Sequence, residues 1–490
     1  MPEALPGGDI TVRRLLIFQE FARRLGLQNM NSVLKLGLKR WSAWQDRSVN
    51  RRILAAMVTV GGFTALVKLA AVAKEIAVAY QFGTGDEIDA FLMAFLVPQF
   101  VVNLIAGSLN AALIPTYIQV REQEGQGAAQ RVLSSVMVLS VGFLAALSVV
   151  LALTASYILP LVASGFAAEK LALTHSLYYV LLATLILSGL ATTWGAILNA
   201  ENRFALAAVV PVATSIVTVL LVVMAKHWGS YVLAIGVVGG ALIETSLLGW
   251  GLAREGVLLV PRWCGTSPAV KQVLAQYAPM VAAAFLMGGT TLVSQSMAAM
   301  LSPGSVSALA YGGKVTNLIL GVGALAVSTA VLPHFSRMVT MTDWHGLRHT
   351  LLTYSRLLLM VTLPLTFGLI YFSEPVVAVL FQRGAFTEAD THLVGQVQAM
   401  YLLQVPVYVL IMLYVRLIAA LKVTYLMIWG NVINLSVCIV LNYVLMQQFG
   451  VAGIALATSF MYLTSFCFVW FVSSRLISQK AGERRKESCE

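Results

Sequence analysis

Lys68, Lys74 and Glu75 lie in one apolar run of the chain, near 54–78, Lys314 lies well inside another, near 305–333, and Asp89 stands at the start of a third. An ionisable group at bilayer depth costs about 2.5–3.5 kcal/mol, so such groups are retained for a role or beside a wet cavity. Lys68 and Glu75 are seven positions apart and share a helix face, while Lys74 points about 120° from Lys68 at 3.6 residues per turn. Ammonium groups offer both Coulomb attraction and hydrogen bonds to phosphate oxygens. The pattern therefore predicts a cationic cavity for a phosphate-bearing substrate, with Lys68, Lys74 and Lys314 on the diphosphate and Glu75 and Asp89 as supporting acids. The competing reading is a set of lysine–acid pairs that only pin helices together, with Lys74 snorkelling to a surface.

The elements that must carry these residues are membrane helices. Of 490 residues, 59% are hydrophobic and 11% charged, against roughly 25% charged in a soluble domain. Apolar runs near 54–78, 88–117, 132–158, 173–199, 204–225, 231–253, 272–300, 305–333, 352–372, 391–420, 424–446 and 451–475 each reach the roughly 20 residues that span a bilayer. The expected fold is an all-α integral membrane protein of about twelve helices; a barrel would show short alternating segments instead. Pro98, Pro211, Pro279, Pro364 and Pro406 fall inside spans and predict kinks.

The net charge of +11 does not point to nucleic acid. With both termini cytoplasmic, Arg121, Arg131, Arg203, Arg254, Arg262, Lys271, Arg337, Arg348 and Lys422 fall on the inner side, and mainly Lys170, Lys226 and Arg383 on the outer. Residues 1–52 form a basic extension, read either as an interfacial helix on an anionic leaflet or as a disordered segment. No uninterrupted apolar stretch follows its basic start, as a cleaved signal would require. Cys264, Cys438, Cys467 and Cys489 are scattered, and the histidines show no ligand spacing, so no metal site is expected. Asn431, Asn434 and Asn442 suit interhelical hydrogen bonds or, less simply, an ion site.

The chain also repeats itself. Ala111 to Pro115 matches Thr329 to Pro333 at a shift of 218, Ser164-Gly165-Phe166 sits against Gly384-Ala385-Phe386 at nearly the same shift, and Gly236 to Leu242 resembles Gly450 to Leu456. Six spans per unit is an even number, so the units share one orientation and are related by an axis along the membrane normal. The expected division is an N-terminal lobe at 53–255, a cytoplasmic linker at 256–271, a C-terminal lobe at 272–476 and a charged tail at 477–490.

Phe82-Gly83, Asp89-Ala90-Phe91, Ala94-Phe95, Pro98 and Pro115 resemble the opening signature of the MviN/MurJ family, the lipid II flippases. Gly304 to Ser307 with Tyr311 and Lys314, followed by Val331-Leu332-Pro333 and Ser336-Arg337, is similar to that family's eighth helix. Leu380 to Thr387 is similar to its outer loop. The resemblance implies two six-helix lobes of the multidrug/oligosaccharidyl-lipid/polysaccharide exporter superfamily and movement of an undecaprenyl-diphosphate-linked sugar to the outer leaflet. It places Lys68 and Lys74 at the family's first-helix arginines, Lys314 at its eighth-helix arginine with Gly313 in place of the acid, and Asp89 at its second-helix aspartate. Two departures stand out: Val102-Asn103 occupies the place of an arginine pair, and the chain ends soon after the twelfth span, where the family continues into two further helices.

The function expected is therefore a flippase, not an enzyme, for a polyprenyl-diphosphate-linked precursor of peptidoglycan or of another envelope polysaccharide. It would act as a bacterial inner-membrane monomer without a cofactor, coupled to the membrane potential or to a cation, alongside envelope-synthesis proteins. Two other readings stay open at this point. A cation-coupled small-molecule exporter would need a cycling carboxylate among Glu75, Asp89 and Glu244, and a scaffold without transport would need only the fold.

Overall fold

A backbone in hydrocarbon finds no water for its N–H and C=O groups, so a chain of long apolar runs must satisfy them within helices. In the computed structural model, which describes residues 49–201, 203–257 and 262–487, every described element is a helix or helical turn. The expected basic extension falls largely outside the described residues. Residues 49–66 belong to the opening stretch of the first helix, α1 (Val49–Phe82).

The rest of the described chain forms one compact unit. It contains α2 (Asp86–Val102), joined through a π-helical turn at Asn103–Gly107 to α3 (Ser108–Glu124), then α4 (Gln126–Leu153) with the short α5 (Ala155–Val162). Next come α6 (Ala168–Leu181), α7 (Ala183–Ala200), α8 (Phe204–Val209), α9 (Val212–Met224) and α10 (Tyr231–Arg254). The second half holds α11 (Pro268–Ala298), α12 (Ser305–Thr340), α13 (Trp344–Tyr371), α14 (Ser373–Phe381), α15 (Glu388–Leu402), α16 (Gln404–Ala420) and α17 (Met427–Glu487). A non-helical Gly450 breaks α17 between the eleventh and twelfth expected spans. Among the described residues, nine stretches are long and apolar enough to cross a membrane. All twelve expected runs fall on helical segments.

The prolines act unequally. Pro211 separates α8 from α9, Pro406 follows the break at Leu403, and Pro98 precedes the π-helical turn, whereas Pro279 and Pro364 sit inside unbroken helices. Large apolar side chains such as Leu153, Tyr157, Met224 and Tyr371 project outward from these helices. A soluble fold does not tolerate so continuous an apolar coat, and lipid does.

Packing ties α11 to both halves. Val270 and Val273 in its first turns are buried with Leu113, Leu133 and Leu198 of α3, α4 and α7. Ser294, near its far end, instead accepts a hydrogen bond from Asn442 Nδ2 of α17 at 2.9 Å. The connection into α11 is pinned as well: Ser134 Oγ of α4 donates to Arg262 O at 2.9 Å and accepts from Arg262 N at 2.6 Å, and Ser135 Oγ accepts from Cys264 N at 3.2 Å.

Candidate cavity and gate

Lys74, Glu75 and Lys314 come together in the structure, whereas helix phase sets Lys68 rather than Lys74 on the face of Glu75. Glu75 Oε1 lies 3.2 Å from Lys74 Nζ on its own helix and 3.0 Å from Lys314 Nζ on α12. One carboxylate therefore bridges two ammonium groups, and the trio keeps one net positive charge. Lys314 is 42% exposed, and it lines a cavity of about 320 Å³ in the second half, together with Gln295, Asn317, Tyr401, Gln404 and Tyr462. Such a wall of hydroxyl, amide and ammonium groups can hydrogen-bond an anionic, oxygen-rich ligand.

Lys68 does not join the trio. It is exposed on α1, about 10 Å below Glu75 at 1.5 Å rise per residue, and makes no ion pair among the described residues. Lys74 and Lys68 thus do different things despite belonging to one helix.

Asp89 does not face the cavity lysines. Its side chain is 1% exposed and pairs with Lys170 Nζ of α6 at 2.9 Å; Lys170 also reaches Asp86 at 2.7 Å. The expectation that a cavity lysine would partner Asp89 is corrected here, because the α2 N-terminus faces α6 and α12 instead. Asp89 accepts two backbone hydrogen bonds from the first turn of α12, from Gly304 N at 2.8 Å and Ser307 N at 2.8 Å. A helix N-terminus presents unpaired N–H groups and partial positive charge, so a buried carboxylate is at home there.

Further contacts close the same end of the bundle. Thr84 Oγ1, just before α2, donates to Asp390 Oδ1 at the start of α15. Asp390 is held by its capping box with Thr387. Ala385 N donates to Tyr80 O at the end of α1 at 2.8 Å. Here glycine is obligatory: Gly83 and Gly384 have φ of 56° and 64°, and a Cβ on either would strike the facing backbone carbonyl, of Ala385 or Tyr80. In the first half, a Cβ on Gly165 would strike the Ala299 carbonyl at the end of α11.

These contacts obey the internal repeat. Asp89 and its partner Ser307 are 218 positions apart, the shift read from the Ala111 and Thr329 segments. Tyr80 and Ala299 are 219 apart, as are Gly165 and Gly384. Each half thus sends the loop after its third span onto the helix end that precedes the other half's second span. Sequence reasoning placed Lys170 only as a surface charge and passed over Thr84 and Asp390; applying the repeat shift to Asp89 finds Ser307. At the opposite end, the pairs Arg121–Glu201 at 3.0 Å and Arg203–Glu255 at 2.7 Å each join elements of the first half.

Among the asparagines, Asn442 bonds α11 as described, and Asn434 Nδ2 reaches Ser465 Oγ at 3.3 Å across the Gly450 break. Interhelical bonding is what both do here.

Residues 78–485 match the family model described as lipid II flippase MurJ. A probable lipid II flippase MurJ of Rhizobium meliloti (strain 1021) is 29% identical over 377 residues, covering 73% of this chain and 69% of its own. A probable lipid II flippase MurJ of Vibrio cholerae is 26% identical over 84% of this chain and 81% of its own. Among solved structures, a lipid II flippase MurJ in an inward closed conformation matches with a TM-score of 0.74 at 22% identity, over 85% of this chain and 87% of that one. An inward-facing multidrug resistance MATE family transporter of the MOP superfamily matches at 0.67 with 13% identity, over 87% and 99%. The two structures share the fold, and the family model covers most of the chain: this multi-pass membrane protein belongs to the lipid II flippase MurJ family.

Proposed function

We propose that the protein carries a polyprenyl-diphosphate-linked envelope precursor, lipid II or a related glycan repeat unit, from the inner to the outer leaflet of a bacterial inner membrane by alternating access, with no covalent chemistry. The observation that carries this reading, beside the family, is the Glu75 bridge between Lys74 and Lys314. A diphosphate brings two to three negative charges, so it can replace Glu75 on the exposed face of Lys314 and draw Lys74 to itself. The bridge thereby keeps the lysines poised without a ligand. Lys68, exposed further along α1, offers a third contact as the cargo enters.

With both termini cytoplasmic, the end closed by Asp89 is the outer one, and the cavity receives cargo from the inside. Outward movement of an anionic headgroup gains about 2.3 kcal/mol per charge per 100 mV of inside-negative potential. The potential is therefore the proposed driving force, with no cofactor, and the working unit proposed is the monomer. A cation-coupled exporter needs a carboxylate free to cycle. Glu75 and Asp89 are instead occupied by ammonium and backbone donors; Glu244, which accepts from the Thr214 hydroxyl at 3.1 Å, is the carboxylate such an exporter would have to use. The test is translocation of fluorescent lipid II, and of an undecaprenyl-diphosphate oligosaccharide, in proteoliposomes. Replacing Lys314 with Ala is expected to stop it with the protein intact in the membrane; undiminished transport of both cargoes contradicts the assignment.

A further inference from the structure

We propose that Lys170 is a positioning residue that holds the outer gate shut by neutralising Asp89 only while that carboxylate is buried. The inference rests on the alternating-access reading and adds to it the group that sets the resting balance of the gate.

The side-chain holds on the gate converge on a short segment, residues 84–89. From the second half, Asp390 takes the Thr84 hydroxyl and the α12 N-terminus gives Asp89 two N–H groups. From the first half, Lys170 reaches both Asp86 and Asp89, and its Nζ lies 4.0 Å from the centre of the Phe166 ring. Lys170 and Asp390 are 220 positions apart, so the repeat puts groups of opposite sign at equivalent places. The second half's group crosses to the other half. The first half's group does not, and so it makes no bond that must break when the halves part.

The effect of Lys170 on the gate therefore comes from the environment alone. In the shut state its side chain is 9% exposed and that of Asp89 1%. Opening withdraws α12 from Asp89 and lets water in, which weakens the pair several-fold. Removing Lys170 thus penalises the shut state, where it strands a buried carboxylate, more than the open state, where water takes its place.

The test uses the full chain in lipid nanodiscs without cargo, with Cys264, Cys438, Cys467 and Cys489 replaced by Ser and spin labels at A168C and E388C, exposed sites in the two halves. The parent is expected to show one short separation by double electron–electron resonance. Lys170→Met, which keeps the aliphatic stem against Phe166, is expected to raise the ratio of long to short separations at least tenfold, and Lys170→Arg to leave it near the parent. Combining Lys170→Met with Asp89→Asn removes the stranded charge and is expected to bring the ratio back to within about threefold of the parent. If Lys170→Met does not reach the membrane, Lys170→Gln is read the same way. An unchanged ratio in the Met or Gln variant, or a double variant as open as the single one, overturns the proposal. Because no cargo is present, a gate that behaves as expected in a protein that moves no lipid would sink the flippase reading and leave this one standing.

Discussion

The closed end and the cavity both set carboxylates against lysines, but they treat them in opposite ways. At the closed end Asp89 is 1% exposed and has one ammonium and two backbone donors. At the cavity's Lys314 edge, Glu75 is 20% exposed, and the lysines it bridges, Lys74 and Lys314, are 27% and 42% exposed. A buried, saturated charge contributes shape, because any partner removed leaves an uncompensated group. A half-exposed bridge contributes little stability and leaves its cations open to a stronger anion. The first region has the chemistry of a latch, and under the proposed function the second serves as the binding surface.

That contrast breaks most visibly at Asp89. Asp89→Ala strands Lys170 beside a lone exposed Asp86 and leaves two α12 N–H groups without an acceptor, so the shut state should lose about 3–5 kcal/mol. The check is the melting temperature of purified protein together with the gate distance described above; a change below about 1 kcal/mol would refute the latch. Next in size is Gly384→Ala. A methyl group there meets the Tyr80 carbonyl from a backbone at φ 64°, which should cost about 1–3 kcal/mol of the shut state. The same measurement reads it, and the Gly165→Ala variant should act in the same direction through Ala299.

On the cavity side stability should barely move while function falls. Lys314→Ala is expected to shift stability by no more than about 1 kcal/mol, since the pair is partly solvated, yet to end translocation. Lys314→Arg should preserve it, because charge is kept. Lys74→Ala should lower transport less than Lys314→Ala, since Lys74 sits outside the 320 Å³ cavity. Smallest of all, Ser134→Ala frees the linker backbone at Arg262 and should cost about 1 kcal/mol, seen as faster proteolysis within residues 255–267. If Lys314→Ala melts as early as Asp89→Ala, the distinction between latch and surface fails.

The cavity was far more legible in the sequence than the latch. Lys74, Glu75 and Lys314 announce themselves because charges inside apolar runs are costly, and the structure brings these three together. Lys68 looked equivalent by helix phase, but phase fixes direction and not depth, and its position along α1 leaves it apart. Asp89 stood out, while its partners did not: two of them are backbone N–H groups, which have no letter, and Lys170 lies near the head of α6, where a lysine is unremarkable. The helices were readable from hydropathy alone. The π-helical turn at Asn103–Gly107 was not, because its residues, Asn-Leu-Ile-Ala-Gly, carry no pattern that sets them apart from an α-helix. The repeat held the missing information, since a shift of 218 carries Asp89 to Ser307.

The central claim, that the Lys314 cavity holds a diphosphate-linked glycan, is tested most directly by native mass spectrometry of the protein purified in mild detergent. A co-purifying polyprenyl-diphosphate sugar, whose mass names the cargo, is expected on the parent and is expected to be lost in Lys314→Ala. Equal retention of that lipid by the variant, or a parent that carries none after incubation with lipid II and with a glycan-linked analogue, would contradict it.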